Sequence, residues 1–123
     1  MTQTITRYAG TARMSNMVAY RGVLVTKGIT ARGMARDITA QTRDVLRQLD
    51  ALLAEAGLSK SALLQVMIWL ADSRDFDAAN AVYDAWVAPG EQPVRACVES
   101  RLASPEILIE IQASAALASA ALG

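Results

Sequence analysis

The chain has 123 residues, 53% of them hydrophobic and 20% charged, with twelve acidic residues against twelve basic ones. That length fits a single domain over residues 1–123, and the balanced charge offers no field to attract a polyanion, which argues against a nucleic-acid partner. There is no histidine and one cysteine, which removes Ser-His-Asp and Cys-His catalysis, the commonest zinc ligand and any internal disulfide, and suits a reducing, cytoplasmic setting.

The opening MTQTITRYAG carries no apolar h-region and no apolar run approaches ~20 residues, so secretion and a membrane partner are disfavoured. Thr2–Ala9 alternates loosely and reads as an edge strand. Ser15–Tyr20 and Val23–Thr26 read as two more, paired across Arg21-Gly22 as a short hairpin. Gly28 follows at the strand end, where a missing Cβ permits close approach of a ligand; a plain turn glycine is the simpler explanation. Gly28–Ala35 reads as a polar connection. Asp37 then caps a helix to about Ala56, with Ile38, Val45, Leu46, Leu49, Leu52, Leu53 and Ala56 on one stripe and Gly57 at its end.

Leu63–Ala71 is short and rich in strand formers. Leu64, Val66, Ile68 and Leu70 share one face and Gln65, Met67 and Trp69 the other, so it reads as a central strand covered on both sides. Asp72 or Ser73 caps a second helix with Phe76, Ala79, Asn80, Tyr83, Trp86 and Val87 inward. Asn80 is the polar member of that stripe, and a hydrogen bond to a neighbouring backbone group would account for it. Pro89-Gly90 and Pro93 break the helix. Met14, Met17, Met34 and Met67 are scattered and read as packing. The small residues after Ala115 suit either a short helix or a frayed end.

Pro93–Leu102 and Ile107–Ala115 read as two strands of a hairpin turning at Ala103-Ser104-Pro105-Glu106. A strand bearing Arg95 beside Cys97, then one bearing Glu110 among three isoleucines, suggests a site. With Leu102 opposite Ile107, Glu110 falls opposite Glu99, on the same face as Arg95 and roughly 14 Å away along the ladder. That is too far for one small substrate, so a complete site takes Arg95 from one subunit and Glu110 from its neighbour. The plainer readings are a strand-surface arginine, a solvated acid, and a small buried filler at Cys97. Together the elements predict an α+β fold: a mixed six-stranded sheet with two helices on one face. The other face is left apolar for sister subunits.

NAVYDAWVAPGEQPVRACVESRLASPEILIEIQASA resembles the Rid (YjgF-type) reactive-intermediate deaminase family, in particular its YoaB-like branch. The pattern N-x-x-Y/W-D/E-A-W/F, then P-x-R-x-x-V, then I/V-E-I matches in order and spacing. VLVTKG, ARMSN and ITAQTRDVLRQLDALLAEAGLSKSALLQVMIWLAD extend the likeness over nearly the whole chain. The resemblance implies a chorismate-mutase-like homotrimer with sites between subunits. It also implies hydrolysis of 2-imino acids, formed from enamines, to 2-keto acids and ammonia, with no cofactor. Carried over by position, Arg95 holds the substrate carboxylate, Glu110 positions the attacking water, and Cys97, Asn80 and Gly28 line the cleft. Met14 stands where well-characterised members have a tyrosine, and Lys27 where a serine is common; both fall in the substrate-binding region.

The chemistry fits these residue types. A protonated imine is already electrophilic; an arginine fork pairs a carboxylate, and a partly desolvated glutamate orients or deprotonates water, typically contributing ~10²–10⁴-fold. Two alternatives stand beside this reading. One is a pathway-specific C–N hydrolase for an aminoacrylate- or aminomuconate-type substrate. The other is a non-catalytic trimeric module binding small carboxylates or a protein.

Overall fold

The computed structural model describes residues 4–33 and 35–117. In chain order the elements are β1 (Thr6–Tyr8), β2 (Met17–Tyr20), β3 (Val23–Thr26), β4 (Ile29–Thr30), α1 (Ile38–Glu55), β5 (Leu63–Leu70), α2 (Phe76–Trp86), β6 (Val94–Glu99) and β7 (Ile109–Ala116). The strands form one mixed sheet in the order β1-β2-β3-β7-β5-β6, with β4 also on β7. The α+β architecture expected from the sequence is present, with a seventh strand. That strand, β4, lies inside the segment read as a polar connection; two residues are too few to show a period.

The β2–β3 hairpin matches its sequence reading. Tyr20 opposes Val23, and Arg21 and Gly22 both take positive φ, 49° and 83°, as a two-residue I′ turn requires. Asp37 caps α1 by accepting from the Thr39 amide at 3.1 Å. Asp72 accepts from the Arg74 amide at 2.9 Å, opening a 3₁₀ turn, Ser73–Asp75, that leads into α2. Each cap is worth about 1 kcal/mol.

The core lies between the helices and one sheet face. Val45, Leu46, Leu49 and Leu53 of α1 and Ala79 and Tyr83 of α2 pack over Leu24, Val66, Ile68, Leu70, Ile109 and Ile111, all buried. Burying each large aliphatic side chain contributes roughly 1.5–3 kcal/mol before chain entropy is set against it. Two details depart from the sequence reading. A register shift between Leu63 and Gln65 puts Leu63 in the core and leaves Leu64 exposed. Phe76, expected on the inner stripe of α2, is also exposed.

The other sheet face is open. Val23, Val25, Gln65, Met67, Trp69 and Gln112 line a shallow cavity of about 520 Å³ there. β5 is therefore covered on one side only within the chain. Val94 and Val98 of β6, opposite Gln65 and Trp69, extend this apolar surface.

The predicted hairpin from Pro93 to Ala115 does not form. β6 runs parallel to β5 on one side, and β7 runs antiparallel to β5 on the other. The β5–α2–β6 unit is a parallel crossover, and residues 100–108 carry the chain past the end of β5 to reach β7. There the Ser100 amide donates to the Leu70 carbonyl and the Ala71 amide to that of Leu108. Alternating apolar residues mark a strand but not its neighbour. The expected tail after Ala115 begins within β7; its remainder from residue 118, Thr2 and Gln3 of the expected first strand, and Met34 lie outside the described residues.

Candidate functional site

Between β3 and β4 the ladder against β7 breaks. Val25 opposes Ser114 and Ile29 opposes Ile111, so four steps on one chain segment face three on the other. One residue is extra, and such a bulge re-aims the backbone around it. Side chains satisfy the interrupted ladder. Thr26, 3% exposed, accepts from the Ala113 amide through Oγ1 at 3.1 Å and donates to the Lys27 carbonyl at 2.8 Å. Gln112 Nε2 donates to the Thr26 carbonyl at 2.9 Å.

The bulge brings Gly28 against the Glu110 side chain. A Cβ at residue 28 would collide with Oε2 and lie 3.1 Å from Cδ, so only glycine lets the carboxylate rest on the backbone. Glu110, half-buried, opposes Trp69 on β5 and Thr30 on β4, which places it on the open face. Among the described residues no ion pair involves it. Gly28 also lines a cavity of about 370 Å³ with Met14, Lys27 and Gln112.

Arg95, Asn80 and Cys97 form a second group, apart from the first. On β6, Arg95, Cys97 and Glu99 oppose Val66, Ile68 and Leu70 of β5 and so face the helices. Arg95 Nη1 donates to Asn80 Oδ1 at 2.7 Å, and its guanidinium carbon lies 4.7 Å from the Tyr83 ring centroid. Asn80 therefore holds the guanidinium, not a backbone group as its simplest sequence reading had it. A hydrogen bond to a charged group contributes about 1.5–3 kcal/mol, and the ring face about 0.5–2 kcal/mol more. A guanidinium has five N–H donors, and no carboxylate among the described residues pairs with this one. Donors remain for a ligand's carboxylate.

Burial pushes the Cys97 thiol up, with Arg95 pulling weakly the other way. At neutral pH it is a thiol, which suits a lining residue and not a nucleophile. Burial also raises the Tyr83 phenol, opposed by Arg95, so its ring stays neutral beneath the cation.

The sequence expectation that Arg95 and Glu110 share a sheet face does not hold. Arg95 opposes Val66 and Glu110 opposes Trp69, three steps apart on β5 and on strands either side of it. Their backbones are therefore about 14 Å apart, with the side chains on opposite faces. One chain cannot close both groups on a small molecule.

Sequence reading singled out Arg95, Glu110, Gly28, Asn80, Cys97, Met14 and Lys27; it did not see Tyr83 as the ring beneath Arg95, and passed over Thr26 and Gln112. Tyr83 was legible only as a core residue. A buried-strand threonine before Lys27-Gly28 was the one signal of the bulge. Among the described residues no group of three or more His, Cys, Asp and Glu side chains is placed to hold a metal ion, and no helix is long and apolar enough to cross a membrane.

Residues 2–117 match the family model described as Endoribonuclease L-PSP. The RutC family protein YoaB of Escherichia coli K12 is 39% identical over 114 residues, covering 93% of this chain and 99% of that protein. A RutC family protein of Haemophilus ducreyi is 36% identical over 113 residues, 92% of this chain and 97% of that one. Among solved structures, NMB1025 of Neisseria meningitidis, a member of the YjgF protein family, superposes with a TM-score of 0.90 at 40% identity. The match covers 94% of this chain and 97% of that chain.

Proposed function

The chain belongs to the Endoribonuclease L-PSP family, whose relatives here carry the names RutC and YjgF, and on that premise we propose that it is a cofactor-independent deaminase of 2-imino acids. The observation that supports this most is the division of the site: an arginine held ready for a carboxylate at one edge, and a glutamate seated on Gly28 on the opposite face. Assembled from two copies, most simply in a trimer packed through the open sheet faces, they flank a substrate from two sides.

In this mechanism Arg95, steadied by Asn80 and Tyr83, grips the substrate's carboxylate through its free donors. Glu110 accepts a proton from a water molecule as the water oxygen bonds to the C=N carbon. The C=N electron pair of the protonated imine moves onto nitrogen, leaving an amine and a hydroxyl on one carbon. Glu110 then passes its proton to the amine; as the C–N bond breaks, the hydroxyl oxygen forms the C=O bond and releases its proton to solvent, and a 2-keto acid and ammonia leave. Holding the reactants in place adds to the rate. The family model's name points to RNA cleavage, but equal numbers of acidic and basic residues and the absence of histidine weigh against it here.

The test is to generate 2-imino acids in situ with an amino-acid oxidase and follow their decay. Wild type is expected to accelerate decay over buffer. Arg95→Ala and Glu110→Gln are each expected to lose ~10²-fold or more while keeping the wild-type assembly. Activity retained in both variants would take the reaction away from Arg95 and Glu110, and a wild type that does not accelerate decay would leave the binding-module reading standing instead.

A further inference from the structure

Met14 is an apolar side chain held in place while 46% exposed. Its backbone is fixed from several directions. The Thr11 amide donates to the Met14 carbonyl at 2.8 Å, and Thr11 Oγ1 accepts from the amides of Arg13 and Met14 at 3.1 and 3.3 Å. A Cβ at Gly10 would overlap the Met14 carbonyl. Beyond it, the Asn16 amide donates to the Tyr8 carbonyl and the Asn16 carbonyl accepts from the Lys27 amide, each at 2.9 Å. The turn is thus tied both to β1 and to the segment that carries Gly28. Met14 thus stands on a constrained turn with its apolar side chain partly open to the space beside it.

What it lines is the cavity beside Gly28, the residue against which Glu110 rests. Met14, Val18 and Val25 supply its apolar walls. Two of its polar residues are already engaged within the chain: Thr26 Oγ1 by the Ala113 amide and Lys27 carbonyl, and Gln112 Nε2 by the Thr26 carbonyl. Lys27 also borders a separate cavity over α1, lined by Arg32, Arg47, Asp44 and Glu55. A methionine wall is adaptable, since its unbranched chain can follow the shape of what it touches.

Resting on the deaminase reading above, we infer that Met14 sets the substrate's side-chain class: with Val18 and Val25 it seats a flexible, unbranched apolar side chain on the 2-imino acid that Glu110 hydrates. Met14 is a specificity-determining residue and takes no part in proton transfer. Each methylene that enters the seat adds to transition-state binding, by about fourfold in kcat/KM.

The experiment compares kcat/KM for imines made in situ from alanine, 2-aminobutyrate, norvaline, methionine and aspartate, with wild type, Met14→Ala and Met14→Leu. Wild type is expected to favour norvaline- and methionine-derived imines over the alanine-derived one. Met14→Ala should shrink that preference by about tenfold, and Met14→Leu should keep most of it. A norvaline-to-alanine ratio unchanged in Met14→Ala overturns the assignment while leaving the deaminase reading intact. So does a wild-type preference for the aspartate-derived imine, which would turn Lys27 toward the substrate. If wild type accelerates none of them, the deaminase reading falls and the assignment goes with it.

Discussion

At residue 28 an added methyl group would first meet the Glu110 side chain, which can rotate away. Gly28→Ala is therefore expected to leave thermal unfolding within a few degrees of wild type while moving the carboxylate off its seat. Imine hydrolysis should then fall by ~10²-fold, as for Glu110→Gln; equal loss of melting temperature and activity would point to a structural role alone. Arg95 and Glu110 were legible through the family resemblance, since the strand pattern alone left a strand-surface arginine and a solvated acid as the plainer readings. Their surroundings were not. That Asn80 and Tyr83 converge on Arg95 depends on how α2 lies over β6, a tertiary fact that the stripe Asn80-Tyr83 only permits.

Among elements, α1 is tied to the strand segment that follows Gly28 through Asp44. This carboxylate, 8% exposed, accepts from the Arg32 amide at 3.0 Å, Gln48 Nε2 at 2.9 Å and Arg47 Nη1 at 3.2 Å, and Gln48 also donates to the Thr30 carbonyl at 2.8 Å. The Arg32 amide, reinforced by Gln48 and Arg47, holds the Asp44 carboxyl below its ordinary value of 3.8 against the opposing effect of burial. Stability from this group is present above that ordinary value and is lost as pH falls below it toward the folded value. Asp44→Asn should cost about 1–3 kcal/mol at pH 7, and the gap to wild type should narrow in acid below about pH 3.8; denaturant unfolding at the two pH values measures both. A gap that widens in acid would reverse the sign of this account. The helices and the β2–β3 turn were legible because caps, stripes and turn residues are local signals. The order β7-β5-β6 was not, since a strand's period says which way its side chains point and nothing about which strand it pairs with.

For the whole molecule, the opposite-face placement of Arg95 and Glu110 makes a mixing experiment decisive. Arg95→Ala and Glu110→Gln chains each carry one intact half. Unfolded together and refolded at equal amounts, they should recover about a quarter of wild-type activity if sites join halves from neighbouring copies at random. Recovery of none, with mixed assemblies confirmed by mass, would mean that each chain must supply both groups. The open apolar face was anticipated from composition, because 53% hydrophobic residues exceed what one small core needs.

The extra residue between β3 and β4 also bears on how such a scaffold can diversify. Pairing with β7 is anchored independently on either side, by Val23–Val25 and by Ile29–Thr30. The bonds that span the gap come from Thr26 and Gln112. Position 27 is thereby insulated from the architecture: its side chain can be exchanged for a hydroxyl, a cation or a hydrocarbon without asking any strand to re-register. New preferences can be tried there by single steps, with the frame unmoved.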